Sequence, residues 1–296
     1  MEQASIVHLV LLLMETPGVG PRAVASVLRR AAVLRTCPEA VMRAPPTVLA
    51  EQYGLGRKQA ERFAQLAREH RTVVWDMARW LSRNGVAVVT LSDASYPQRL
   101  LGHMADPPPV LFLYGEASLL DGTLFAVANS NKAPEPMLKA CDRAAEEAND
   151  AGLILVTGHN RLEYQRPALA VRRNGGSVCT VLDRGLVPGF GGDLTRPLFA
   201  AARIWSCVFD VRKELALTPF ALHDYGIGAN NRKRDELIFA LADVIYAGFL
   251  LRGGRMEYFC TQAAARGAVV RYVADGPPRG SPGDASARAS FRVPPQ

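Results

Sequence analysis

Tyr96–Gly115, YPQRLLGHMADPPPVLFLYG, is the stretch whose reading decides the fold. Pro107 to Pro109 lack backbone N–H groups and hold extended geometry, so they cannot sit within a central ladder and instead stiffen the approach to it. Val110 to Tyr114 then form an unbroken run of strand-forming residues, which Gly115 ends. A strand with no polar alternation is buried on both faces, which predicts a sheet covered by helices on each side.

The same signature recurs on either side of this stretch. Apolar runs predict strands over 86–91, 124–128, 153–157, 178–182, 244–250 and 269–273, together with 110–114. Between several of them lie segments of helical period, over 136–151, 166–173, 232–242 and 256–266. Crossovers of that length suit right-handed βαβ units, so the expected architecture is a doubly wound, mostly parallel α/β sheet. Residues 1–80 read instead as a small all-helical domain ahead of the sheet domain at 85–275. The tail 276–296 is rich in Pro, Gly, Ser and Arg and is expected to be disordered.

The helical region carries one internal echo. Pro17-Gly18-Val19-Gly20-Pro21 precedes one helical segment, and Gly54-Leu55-Gly56-Arg57-Lys58, 36 positions on, precedes another. A Gly-apolar-Gly turn between helices is the helix-hairpin-helix pattern, whose glycines permit positive φ and let backbone N–H groups approach a phosphate. Gly18, Gly20, Gly54 and Gly56, flanked by Arg22, Arg57 and Lys58, are therefore candidate contacts to a nucleic-acid backbone. Close packing of two helices would call for the same glycines without any ligand.

The chain has 296 residues and a net charge of +7, a balance that favours an acidic partner, with nucleic acid the first expectation and a dispersed solubility charge the alternative. Its five cysteines stand singly, with no zinc spacing and no disulfide framework, which fits a reducing cytoplasm. The apolar run from Ile6 to Met14 is too short to span a bilayer and lacks the basic leader of a signal sequence, so no membrane partner is expected. No Gly-x-Ser-x-Gly, His-Glu-x-x-His or Walker loop is present, and no metal or organic cofactor is implied.

As a pattern, the Tyr-Pro lead, the proline run and the strand at 96–115 resemble the segment that opens the Rossmann-like domain of the DNA-processing protein A (DprA/Smf) family. The resemblance extends to about residue 275. It implies single-stranded DNA as a partner, a recombinase as a second one, a homodimer, and a non-enzymatic role in DNA recombination, transformation or a related DNA transaction. It also places the ligand loops. Asn129-Ser130-Asn131-Lys132 stands where the family resembles Gly-Ser-Arg, so Ser130 matches and Lys132 offers a point charge. Gly158 and Arg161 match in the loop after 153–157. Arg232-Lys233-Arg234 precedes the helix where the family carries Arg-Asn-Arg; Arg234 holds the first arginine position, and Asp235 and Glu236 replace the rest.

The expected pocket gathers Lys132, Arg161 and Arg234 around Ser130 and Gly158. Asp235 and Glu236 then point away or pair with Arg232 and Lys233. Two other readings stand beside this one. A nucleotide sensor or hydrolase is suggested by the retained fold with Ser130, Thr157 and Gly158; Arg252–Glu257 is the segment nearest the glycine loop of lysine-decarboxylase-like nucleotide hydrolases, without its threonine and third glycine. A ligand-dead scaffold subunit is suggested by the altered pocket motifs.

Overall fold

The computed structural model describes residues 2–198 and 208–273. The tail 276–296, expected to be disordered, and Cys207 lie outside the described residues. Six helices come first: α1 (Glu2–Glu15), α2 (Pro21–Val33), α3 (Pro38–Arg43), α4 (Pro46–Glu51), α5 (Arg57–Glu69) and α6 (Arg71–Arg83). Pro21, Pro38 and Pro46 each stand at the first position of a helix, where the missing N–H has no intrahelical partner to lose.

Eight strands follow: β1 (Val86–Thr90), β2 (Val110–Gly115), β3 (Leu124–Ala128), β4 (Ile154–Thr157), β5 (Val178–Val181), β6 (Glu214–Thr218), β7 (Val244–Ala247) and β8 (Val269–Tyr272). They form one sheet in the order β1-β2-β6-β5-β4-β3-β7-β8. β1 and β2 run antiparallel, β2 joins β6 antiparallel, and the other pairings are parallel. The doubly wound, mostly parallel Rossmann-like sheet expected from the sequence is the observed fold.

Strand β6 is the element the apolar pattern misses. Its sequence, ELALT, opens on a charge, and Glu214 is nevertheless buried because Arg172 pairs with it inside the protein. The role of Gly115 is also tertiary. It has φ +105, and a Cβ there would lie 2.1 Å from the Glu214 carbonyl oxygen, so only glycine lets β2 and β6 meet.

Helices α7 (Gln98–His103), α8 (Glu135–Asp150), α9 (Leu162–Arg173), the short α10 (Leu186–Gly189), α11 (Asn230–Leu241) and α12 (Arg255–Ala265) connect and cover the strands. Alternate residues of strands β1 to β7 feed two separate cores. Phe125 and Val127 of β3 join one that includes Ala144 and Ala145 of α8, Ala168 of α9, and Leu9, Val27 and Phe63 of the helical region. Leu124, Ala126 and Ala128 join the other, with Leu100 of α7, Leu237 of α11 and Phe259 of α12. The helical region is thus continuous in its packing with one face of the sheet.

The deciding stretch earns its specificity in three contacts. The buried Tyr96 hydroxyl donates to the Pro108 carbonyl at 2.7 Å. Arg99 spans both oxygens of Asp243 at 3.0 Å and also donates to the carbonyls of Leu120 and Gly122. Asp243 in turn accepts from the Leu124 amide at 2.8 Å, which fixes the starts of β3 and β7 side by side. Among the described residues no helix is long and apolar enough to cross a membrane.

Arg99→Ala should lower unfolding stability by about 2–3 kcal/mol, because Asp243 and two carbonyls lose a charged donor in a half-buried site. Arg99→Lys should recover less than half, since an ammonium cannot span two carboxylate oxygens in one plane. Urea denaturation measures both, and a loss under about 0.5 kcal/mol for the alanine variant would contradict the assignment.

Candidate nucleic-acid interface

The two glycine turns pack against one another as a pair. Gly18 and Gly54 have φ +87 and +76, a region open mainly to glycine, whereas Gly20 and Gly56 are extended and act as the residues before α2 and α5. The packing is reciprocal. Ser26 of α2 donates to the Tyr53 carbonyl in the second turn, and Arg62 of α5, 36 positions later, donates to the Pro17 carbonyl, 36 positions earlier, in the first. Gln59 adds a bond to the Gly18 carbonyl and accepts from the Gly56 amide at 2.9 Å. Neither α2 nor α5 has an acidic residue in its first turn or a side-chain cap from the preceding glycine, so their N-terminal ends stay electropositive. Arg22, Arg57 and Lys58 are exposed there; Arg57 pairs with Glu61 one helical turn on, at 3.4 Å.

At the carboxyl edge of the sheet the picture differs from the expected open pocket. Strand order reverses at β3 and β7, the place where doubly wound sheets receive ligands. Here that crevice is stitched shut. Asn129, where the resembling family has glycine, accepts from the Phe249 amide at 2.7 Å. The Ser130 amide donates to the Phe249 carbonyl at 2.7 Å, and its hydroxyl accepts from the Leu251 amide at 3.0 Å. A Cβ on Gly248 would lie 2.4 Å from the Asn129 side chain, so the two loops leave no gap between them.

Beside the crevice, over β4 and β5, the space is filled by Arg234. It has no exposed surface, which corrects its expected place as a phosphate contact. Its guanidinium donates twice to Asp235 Oδ1, at 3.0 and 2.7 Å, and to Asn231 at 2.9 Å and Asn160. It lies 3.7 Å from Asp183 and stacks 4.8 Å from the centre of the Tyr164 ring. Gly158 is glycine because of this stack: a Cβ there would come within 2.9 Å of Tyr164 and 3.2 Å of Arg234.

Asp235 likewise turns inward, accepting from the Tyr164 hydroxyl at 2.7 Å, rather than pairing with Arg232 or Lys233. Glu236 alone pairs with those two, at 3.0 and 3.9 Å. Burial pushes the Tyr164 phenol upward, and the neighbouring Asp235 charge adds to the shift.

The remaining candidates sit around this filled centre without converging. Lys132 is exposed, with φ +63, and its amide donates to Glu163, which ties the loop after β3 to the first turn of α9. Arg161 is the half-buried residue before α9. Arg232 is exposed, and Lys233 reaches across to the Asp106 carbonyl at 2.9 Å. Asp106 is also the partner of Arg22, whose Nε lies 3.2 Å from its carboxylate. A cation of the first glycine turn and a cation of the sheet edge therefore meet on one residue of the loop at 104–109.

Three further contributors were not among the candidate site residues. Arg255 opens α12, is half-exposed, and lies 3.4 Å from Asp235. Arg184 donates to Asp183 at 2.8 Å. Tyr225 holds an 80% exposed ring on a turn fixed by Gly226, whose amide donates to Asp224 at 2.7 Å. His159 is buried against Asp183, with its Nε2 3.5 Å from Oδ1, and burial pushes its imidazole down to about 4 despite the favourable Asp183 charge. Among the described residues no cluster of His, Cys, Asp and Glu is arranged to hold a metal.

The comparisons bear out the resemblance read from the sequence. The family model described as DNA recombination-mediator protein A matches residues 87–161. DNA processing protein A from Streptococcus pneumoniae shares the fold, with a TM-score of 0.67, 18% identity, and coverage of 92% of this chain and 86% of that one. DNA processing protein A from Helicobacter pylori, whose structure concerns its single-stranded DNA binding mode, matches with a TM-score of 0.49 and 16% identity, over 62% of this chain and 80% of that one. No curated protein sequence matches the chain.

Two outcomes follow from the buried centre. Arg234→Ala should cost about 3–5 kcal/mol by stranding Asp235, whereas Arg232→Ala at the exposed rim should stay within about 0.5 kcal/mol, both read from urea midpoints. For His159 the folded state stays neutral while the unfolded chain takes up a proton below about pH 6.5, so stability is lost as pH falls from there toward about 4. His159→Gln should remove about 2–3 kcal/mol of that acid-side loss, seen as a smaller difference between unfolding free energies at pH 7 and pH 4.5.

Proposed function

We propose that this chain is a DprA-like, non-enzymatic protein of the cytoplasm that binds single-stranded DNA in recombination, transformation or a related DNA transaction. The observation that carries the reading is the meeting of Arg22 and Lys233 on Asp106. The glycine-turn cations and the sheet-edge cations form one surface, so a strand laid across it touches both. The filled crevice favours this over the nucleotide-pocket reading. Asn129, Ser130 and Arg234 already satisfy there the groups a bound nucleotide would need. Their satisfaction by the protein itself gives no support to catalysis.

In this reading the paired glycine turns serve as helix-hairpin-helix phosphate contacts through Gly18, Gly20, Gly54 and Gly56, with Arg22, Arg57 and Lys58. Lys132, Arg161, Arg232 and Lys233 extend the track along the sheet edge. Ser130, Gly158 and Arg234 shape the loops from beneath. The exposed Tyr225 ring offers a stacking face that is indifferent to base identity. A recombinase and a second copy of the chain are the protein partners that accompany the reading.

Fluorescence anisotropy with a labelled single strand at low salt should give a dissociation constant in the micromolar range or below; an absence of binding there would remove the proposal. Arg22→Glu with Lys233→Glu should weaken binding and reduce the log–log salt slope by about 1.4, at about 0.7 per lost contact. Arg57→Glu with Lys58→Glu should behave alike. Arg212→Glu with Lys213→Glu, at the opposite edge where β6 begins, should leave the slope unchanged. A slope unaffected in the Arg22/Lys233 variant would break the shared surface in two.

A further inference from the structure

A groove of about 470 Å³ lies between the first glycine turn and the sheet edge. One wall is Val19 and Pro21 from the turn and the start of α2; the other is Pro108, from the proline run ahead of β2, and Phe220, just beyond β6. Asn230 and Lys233 of α11 close its polar end. Its volume lies within the range of sites that enclose compact organic ligands. Phe220 is only half-buried, so its ring is available to a ligand in the groove.

Charge selects among possible occupants. Arg22 stands beside the apolar wall with its side chain 88% exposed, and Lys233 is at the polar end. The acidic groups nearby are already engaged. The Asp106 carboxylate faces Arg22, and Asp224 accepts from the Gly226 amide at 2.7 Å and from Asn230 at 3.5 Å. A flat apolar body carrying phosphates on its flanks matches this arrangement. A neutral apolar peptide would offer neither cation an anion, whereas a phosphate can replace the solvent-exposed Asp106 carboxylate on Arg22 and the Asp106 carbonyl on Lys233.

We infer that the groove receives an unpaired nucleobase of the bound strand, stacked against Phe220 between proline walls, with adjoining phosphates on Arg22 and Lys233. The inference rests on the single-strand reading above and adds a reason for preferring unpaired nucleic acid. A base held in a duplex cannot leave its stack to enter without losing its pairing, whereas a free strand presents bases at no such cost.

The test compares oligothymidylate with an abasic strand of equal length and equal phosphate count, by anisotropy at low salt. The wild-type protein should bind oligothymidylate about tenfold more tightly, the expected scale for one stacked base. Pro21→Trp places an indole at the groove wall. Pro21 is exposed at the first position of α2, so the variant should keep the wild-type unfolding midpoint. It should bind both strands with the wild-type abasic affinity.

Phe220→Leu, which keeps the wall apolar and removes the ring, should reduce the ratio without changing abasic binding. A tenfold ratio that persists in both variants overturns the inference. So does equal binding of the two strands by the wild-type protein, which would leave the groove to an apolar peptide. Failure to bind either strand defeats the single-strand reading itself and is distinct from both.

Discussion

A guanidinium without solvent exposure must be neutralised where it lies, and the carboxyl edge of this protein is arranged around that requirement at Arg234. Asp235 and Asp183 supply charge, Asn160 and Asn231 accept the remaining protons, and Tyr164 offers its ring face. The partners come from three places: Asn160 from the loop after β4, Asp183 from the loop after β5, and Asn231 and Asp235 from α11. One buried charge therefore fixes the relative positions of two loops and a helix, and together with Tyr164 it obliges Gly158 to remain without a side chain.

That arrangement changes what the sheet edge can do. In a doubly wound fold the crevice at the strand-order reversal is where ligands enter, and the same edge here is closed twice over. Asn129 and Ser130 lock the loop after β3 to the loop after β7, and Arg234 fills the neighbouring space. The solvent-facing cations lie further out, at Arg232 on the rim of α11 and at Arg22 in the helical region. Asp106 joins the two sets, since Arg22 and Lys233 both contact it.

The helical region contributes more than charge. Its two glycine turns brace each other through Ser26 and Arg62, a reciprocal contact that makes the position of each turn depend on the other. Its apolar residues share a core with one face of the sheet, so Arg22 is held relative to Lys233 by packing and by the ion pair with Asp106.

The sequence by itself determined the sheet and its coverings, because burial on both faces writes itself into unbroken runs such as Val110–Tyr114 and periodicity separates those runs from helices. It also marked the paired glycine turns, since positive φ at Gly18 and Gly54 is a local demand that one residue type answers. It passed over β6, whose leading Glu214 is buried only because Arg172, from another element, neutralises it. It placed Arg234 in an open ligand pocket, at the first arginine position of the triplet the resemblance implies, and its burial escaped the pattern for the same reason. Whether a charge faces water or the interior depends on partners brought from 50 to 75 positions away, such as Asp183 and Asn160. Local pattern records what a backbone segment prefers, and only the tertiary structure decides which charges find a partner good enough to leave water.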